Sequence, residues 1–116
     1  MLAQKYRLKS KFDFRKIYKY GQSIVNPYAV LYLFSRREKI TSARGPRIGF
    51  SVSKKIGSAV TRNQIKRKMR AAIKPSLQCM PQNVDVIFIA RKKIKGIPFS
   101  DVEKSMNNLL KRAGLI

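Results

Sequence analysis

Histidine and tryptophan are absent from the 116 residues, and there is a single cysteine, Cys79. Without histidine the chain has no imidazole to act as a general base or as the commonest transition-metal ligand. A lone thiol closes no intramolecular disulfide and no Cys/His spacing suggests zinc, so the composition points to a reducing cytoplasm, with Cys79 a buried or incidental thiol. Acidic residues are nearly as scarce: Asp13, Glu38, Asp85, Asp101 and Glu103 are the whole set. They are scattered, which argues against a metal-dependent hydrolytic centre built by this chain alone. No catalytic residue is assigned, and metal ligands on the protein stay unknown. Long apolar runs are also missing. Nothing approaches the ~20 residues that cross a bilayer, and the opening MLAQKYRLKSKF lacks the apolar stretch of a signal peptide. The expectation is a cytoplasmic protein that is neither exported nor anchored.

What the chain has in quantity is positive charge. Lysine and arginine number 27 against 5 acids, a formal charge of +22, while apolar residues still make up 44%. That apolar share, with β-branched and aromatic runs, supports a packed core and separates the chain from a disordered basic tail. A chain of this length forms one domain without disulfides. The reading is therefore a single domain over 1–116, with 1–9 as a basic arm, that binds a polyanion. Nucleic acid is the first candidate and an anionic membrane surface the second.

The charge is concentrated in 49–70, GFSVSKKIGSAVTRNQIKRKMR. A short alternating strand runs through a Gly-containing turn into a basic helix. If Ser58 caps that helix, Arg62, Asn63, Lys66, Arg67 and Arg70 share one arc, and Ile65, Met69, Ala72 and Ile73 fall on a neighbouring arc that seals against a core. An ordinary solvated helix face carries acids that pair with its cations, yet no acid occurs between Glu38 and Asp85. The unpaired potential calls for an external polyanion. Lys54 and Lys55, in the turn before the helix, add two cations where backbone N–H groups suit a phosphate.

The remaining pattern frames this segment. Residues 11–20 read as a short amphipathic helix capped by Ser10, with Phe14, Ile17 and Tyr18 on one side and Gly21 as a left-handed C-terminal residue. Its rings either fill the core or stack unpaired bases. Residues 28–34 (YAVLYLF) read as a strand apolar on both faces, 35–46 as a hairpin loop, and 47–53 as a strand with Ile48, Phe50 and Val52 on one side and Gly49, Ser51 and Ser53 on the other. The helix should end near Lys74, before Pro75. Residues 84–90 (VDVIFIA) read as a central strand, followed by Arg91, Lys92 and Lys93 at the rim of the sheet. A capping box of Ser100 and Glu103 opens a packing helix with Val102, Met106, Leu109, Leu110 and Ala113 as its apolar stripe.

The segment 49–70, with RLKSKFDFRKIYKYGQS before it and DVIFIARKK after it, resembles the protein component of bacterial ribonuclease P over nearly the whole chain. The family's Arg-Asn-Arg helix motif after a Ser-Lys-Lys turn is matched by Ser53, Lys54, Lys55, Arg62, Asn63, Lys66, Arg67 and Arg70. Gln64 departs from it, standing where the family has the third motif residue, arginine; it lies off the basic arc, so affinity should fall only slightly and no RNA contact is assigned to it. The resemblance implies an α+β fold: an αβ sandwich of about four strands in a mixed sheet with three helices, in the order αβββαβα, like the second domain of a small-subunit ribosomal protein. It also implies a left-handed βαβ crossover, against the ~98% right-handed rule.

The same resemblance implies a division of labour. A catalytic RNA with bound Mg²⁺ cleaves precursor tRNA to free its mature 5′ end, and the protein, monomeric by itself, steadies that RNA and grips the 5′ leader. Arg62, Lys66, Arg67 and Arg70 would meet phosphates, Asn63 a sugar or phosphate, and Lys54 and Lys55 the RNA at the turn. Phe14, Tyr18 and Tyr32 would line the leader cleft, with Ser51 and Ser53 as its floor. The rival readings are a ribosomal or ribosome-assembly protein and a cationic membrane-surface protein.

Overall fold

The unbroken apolar run VDVIFIA becomes the strand that the others close around. In the computed structural model, which describes residues 11–35 and 45–116, the order is α1 (Lys11–Tyr20), β1 (Gln22–Val25), β2 (Ala29–Ser35), β3 (Arg47–Ser51), α2 (Ala59–Ile73), β4 (Val84–Ala90) and α3 (Phe99–Arg112). The sheet runs β1-β2-β4-β3. β4 is antiparallel to β2, with Leu31 opposite Phe88, and parallel to β3, with Phe50 opposite Phe88. This is the expected α+β arrangement of three helices on a mixed four-stranded sheet.

Period-2 alternation sends each strand's residues to two different layers. Val84, Val86 and Phe88 join Leu31 and Ile48 beneath Ile65, Met69 and Ile73 of α2 and Val102, Met106 and Leu109 of α3. On the other face Ile87 packs on Ile17 of α1, with Phe14, Tyr32, Phe34 and Ile89 around them. A buried salt bridge lies at the start of β3, where Arg47 Nε and Nη2 donate to the two carboxylate oxygens of Asp85, each at 2.8 Å. It ties β3 to β4 in the parallel register that sets Arg47 opposite Asp85.

Several expectations are corrected. The segment 35–46 is no hairpin loop, because β4 lies between β2 and β3; its residues 36–44 lie outside the described residues, as do 1–10 with Ser10. The hairpin is β1–β2 instead, turned at Asn26, whose Oδ1 accepts from the N–H groups of Tyr28 and Ala29 at 2.9 Å. Asn26 Nδ2 donates to the carbonyl and hydroxyl of Ser105 at 3.1 and 3.0 Å, which fastens the turn to α3. Gly21 has no positive φ. Glycine is needed there for space, since a Cβ would stand 2.5 Å from the Ile17 carbonyl oxygen and 2.7 Å from that of Leu33.

The capping box at α3 is also absent: Pro98 is the N-cap, without a side-chain hydrogen bond, so Ser100 and Glu103 lie inside the helix. Past Ile73 the chain tightens into a 3-10 turn, Lys74–Cys79, with Pro75 at its start and Cys79 exposed. The α-helix thus ends at Ile73 with Lys74 as its C-cap, as Pro75 led one to expect, and the chain continues as a 3-10 turn because proline in the first turn of a helix forfeits no hydrogen bond. Among the described residues no helix is long and apolar enough to cross a membrane.

Candidate nucleic-acid interface

Ser58 holds the start of α2, its hydroxyl accepting from the Thr61 N–H at 3.3 Å. With the helix phase fixed there, Ile65, Met69, Ala72 and Ile73 are buried. Arg62, Lys66 and Arg70 are half-buried on the flank, while Asn63, Gln64 and Arg67 are exposed. The structure therefore brings the five predicted α2 residues onto one solvent-accessible side. The Arg62 Nε is buried with no hydrogen-bond partner. The Arg70 guanidinium carbon lies 5.6 Å from the centroid of the Phe50 ring on β3. Lys68 is committed elsewhere, donating to the Ile97 carbonyl at 3.3 Å.

Beneath α1 the second group of predicted residues assembles on the opposite face of the sheet. Tyr18 stands edge to face with Phe14, centroids 6.3 Å apart at 70°, and with Tyr32 at 5.1 Å and 84°. Tyr18 keeps 39% of its surface exposed. Its phenol is held above the ordinary value of 10.0, chiefly by burial and also by the Tyr32 hydroxyl, against a hydrogen bond with Ser51 that lowers it. The phenol is thus a neutral hydrogen-bonding group at physiological pH, and the rings offer apolar faces to a base.

β3 links the two groups. It is an edge strand, and its alternation gives Gly49 and Ser51 to the α1 face and Phe50 to the α2 face, so rings and cations flank the same strand from opposite sides. Ser53 lies past the end of β3 and is separated from the rings. It lines a groove of about 700 Å³ at the end of the sheet with Lys55, Ile56, Pro27, Arg91, Lys92 and Lys93. Lys54 and Lys55 are exposed in the turn, whose shape is set by Ser53: its hydroxyl accepts from the Lys55 N–H at 3.2 Å and its carbonyl from the Ile56 N–H at 3.0 Å. Arg91, Lys92 and Lys93 were legible as a basic run at the rim, but only the sheet order brings them beside Lys55. Arg91 is partly spent on structure, donating to the Asn26 carbonyl at 3.1 Å.

The ribonuclease P family model matches residues 2–114. The chain belongs to the ribonuclease P protein family. It is 38% identical over 109 residues to the ribonuclease P protein component of Clostridioides difficile strain 630, covering 93% of this chain and 91% of that one. The ribonuclease P protein of Staphylococcus aureus superposes with a TM-score of 0.84 at 37% identity, covering 95% and 96% of the two chains. That of Thermotoga maritima gives 0.79 at 32% identity, covering 91% and 96%. Sequence and fold agree over most of the ribonuclease P protein's length.

Proposed function

We propose that the chain acts as the RNA-binding subunit of ribonuclease P, holding the catalytic RNA through α2 and the 5′ leader of precursor tRNA in the ring-lined cleft, and so assisting Mg²⁺-dependent removal of that leader. The observation that carries the reading is the placement of β3 between a cationic helix and a cluster of half-exposed rings. Cations at 62, 66, 67 and 70 suit phosphates at any sequence, whereas rings suit only bases that are unstacked. A substrate joining a structured RNA to a single-stranded extension uses both.

Mg²⁺ in this reading is held by the RNA. Asp85, the one buried carboxylate among the described residues, is engaged by Arg47, and no group of three or more His, Cys, Asp or Glu there is placed to hold a metal ion. The described residues do not fit a metal site of their own, and no step is assigned to a protein-bound ion. What the chain supplies is positive potential, which lowers the divalent-ion concentration that a folded polyanion needs.

Binding of leader-bearing precursor and of mature tRNA to the assembled ribonucleoprotein tests the cleft. Tyr18→Ala should weaken precursor binding by roughly tenfold, the value of a stacked base, and leave mature tRNA binding unchanged. Equal losses for both RNAs would remove the leader from the cleft.

A further inference from the structure

Gly49 sits under the ring of Phe14. A Cβ built on Gly49 would lie 2.5 Å from the ring's Cζ and 3.2 Å from each of Cε1 and Cε2. Equal distances to the two Cε atoms put the Cβ in the plane that bisects the ring through Cγ and Cζ, and their shortness sets it to one side of the ring's own plane, so the ring tip leans over Gly49 in the space a side chain would fill. One face of the ring is thus turned partly toward the strand and the other away from it, next to Tyr18 at 6.3 Å. Backbone geometry does not demand glycine here, since Gly49 is within β3 and has no positive φ. A glycine inside a strand weakens it and packs nothing of its own, so its presence calls for another reason, and the close approach of the ring provides one.

We propose that Gly49 is a positioning residue, a socket that seats the tip of the Phe14 ring so that its outward face is presented to a leader base. The inference rests on the leader-binding reading of the cleft and adds to it the residue that sets the ring's height and angle. The three atoms nearest a methyl group at position 49 all belong to the tip of the Phe14 side chain, so the strand accepts it by displacing the ring. The Gly49→Ala protein therefore folds with Phe14 out of place. Its effect on RNA runs entirely through Phe14, which makes the two substitutions non-additive.

The test is a double-mutant cycle on the assembled ribonucleoprotein, reading the ratio of affinities for leader-bearing precursor and mature tRNA. This ratio is insensitive to a lowered folded fraction, which scales both affinities alike. Gly49→Ala and Phe14→Ala should each lower it, by up to about tenfold, and the double variant should match Phe14→Ala alone. The melting-temperature drop caused by Gly49→Ala should also be smaller in the Phe14→Ala background. An unchanged ratio in Gly49→Ala, the same loss from Gly49→Ala in both backgrounds, or equal melting-temperature drops in both would overturn the socket while leaving the cleft reading intact. An unchanged ratio in Phe14→Ala would overturn both.

Discussion

Arg70 covers Phe50 at the open edge of the sheet, the guanidinium carbon 5.6 Å from the ring centroid. Phe50 in turn stacks on Phe88 of the central strand, centroids 5.8 Å apart at 16°. A cation from α2 is therefore part of the packing at the edge of the core. In the proposed reading Arg70 both covers the ring and meets RNA, where Arg67, exposed one turn away, meets RNA alone. Arg70→Ala should lower stability by about 0.5–1 kcal/mol as well as RNA affinity, whereas Arg67→Ala should lower RNA affinity alone. Thermal melts paired with RNA titrations check the difference; equal melting temperatures would show that the ring contact contributes nothing.

The α2 cations make a second prediction through salt. If Arg62, Lys66, Arg67 and Arg70 each neutralise a phosphate, together they contribute about 3 to the slope of log K against log salt, at roughly 0.7–0.9 per contact. Replacing all four with alanine should flatten the measured slope by that amount. An unchanged slope would return α2 to an ordinary solvated face.

Much of this was visible in the sequence. The 3.6-residue pattern and Ser58 place α2, and the alternation in 47–53 puts Gly49 and Ser51 opposite Phe50, as observed. The neighbours of that central strand were not visible, because β2 and β3 each carry apolar residues that suit a hairpin; the sheet order sets β4 between them. β1 is four residues long and mostly exposed, so its identity comes from pairing with β2 and from Asn26, whose partner Ser105 is 79 residues away. In the cleft the residue types were legible and their division was not. Ser51 stays with the rings, while Ser53 lies beyond the strand with the end-of-sheet cations.

Loss of the Asp85 carboxylate should be the most damaging polar change. Asp85 is buried and Arg47 keeps 25% of its side chain exposed. Asp85→Ala would take both carboxylate acceptors from the Arg47 guanidinium between β3 and β4, at a cost of about 3 kcal/mol, the low end for breaking a buried pair. Chemical denaturation checks this, and a loss below about 1 kcal/mol would assign the pair to the surface class.

Tyr18 supplies a prediction in pH. Its folded-state pKa is raised, so above the ordinary value of 10.0 the folded protein holds a proton that the unfolded chain has released, and stability falls as pH climbs through that region. Below it, Tyr18→Phe should be less stable than the parent by no more than about 1 kcal/mol, for the lost hydrogen bond with Ser51. That advantage of the parent should be constant through neutral pH and disappear in alkali. A difference that grows with alkalinity would contradict a phenol whose pKa is raised in the folded state.

The central claim is that this chain holds RNA in place for a catalyst that is itself RNA. Purified protein, freed of nucleic acid, is mixed with a leader-bearing precursor tRNA at low Mg²⁺, with and without a transcript of the catalytic RNA. Cleavage at the mature 5′ end should require the transcript and be faster with protein than with transcript alone. Cleavage at that bond by the protein unaided, or a transcript rate that the protein leaves unchanged, would contradict the account.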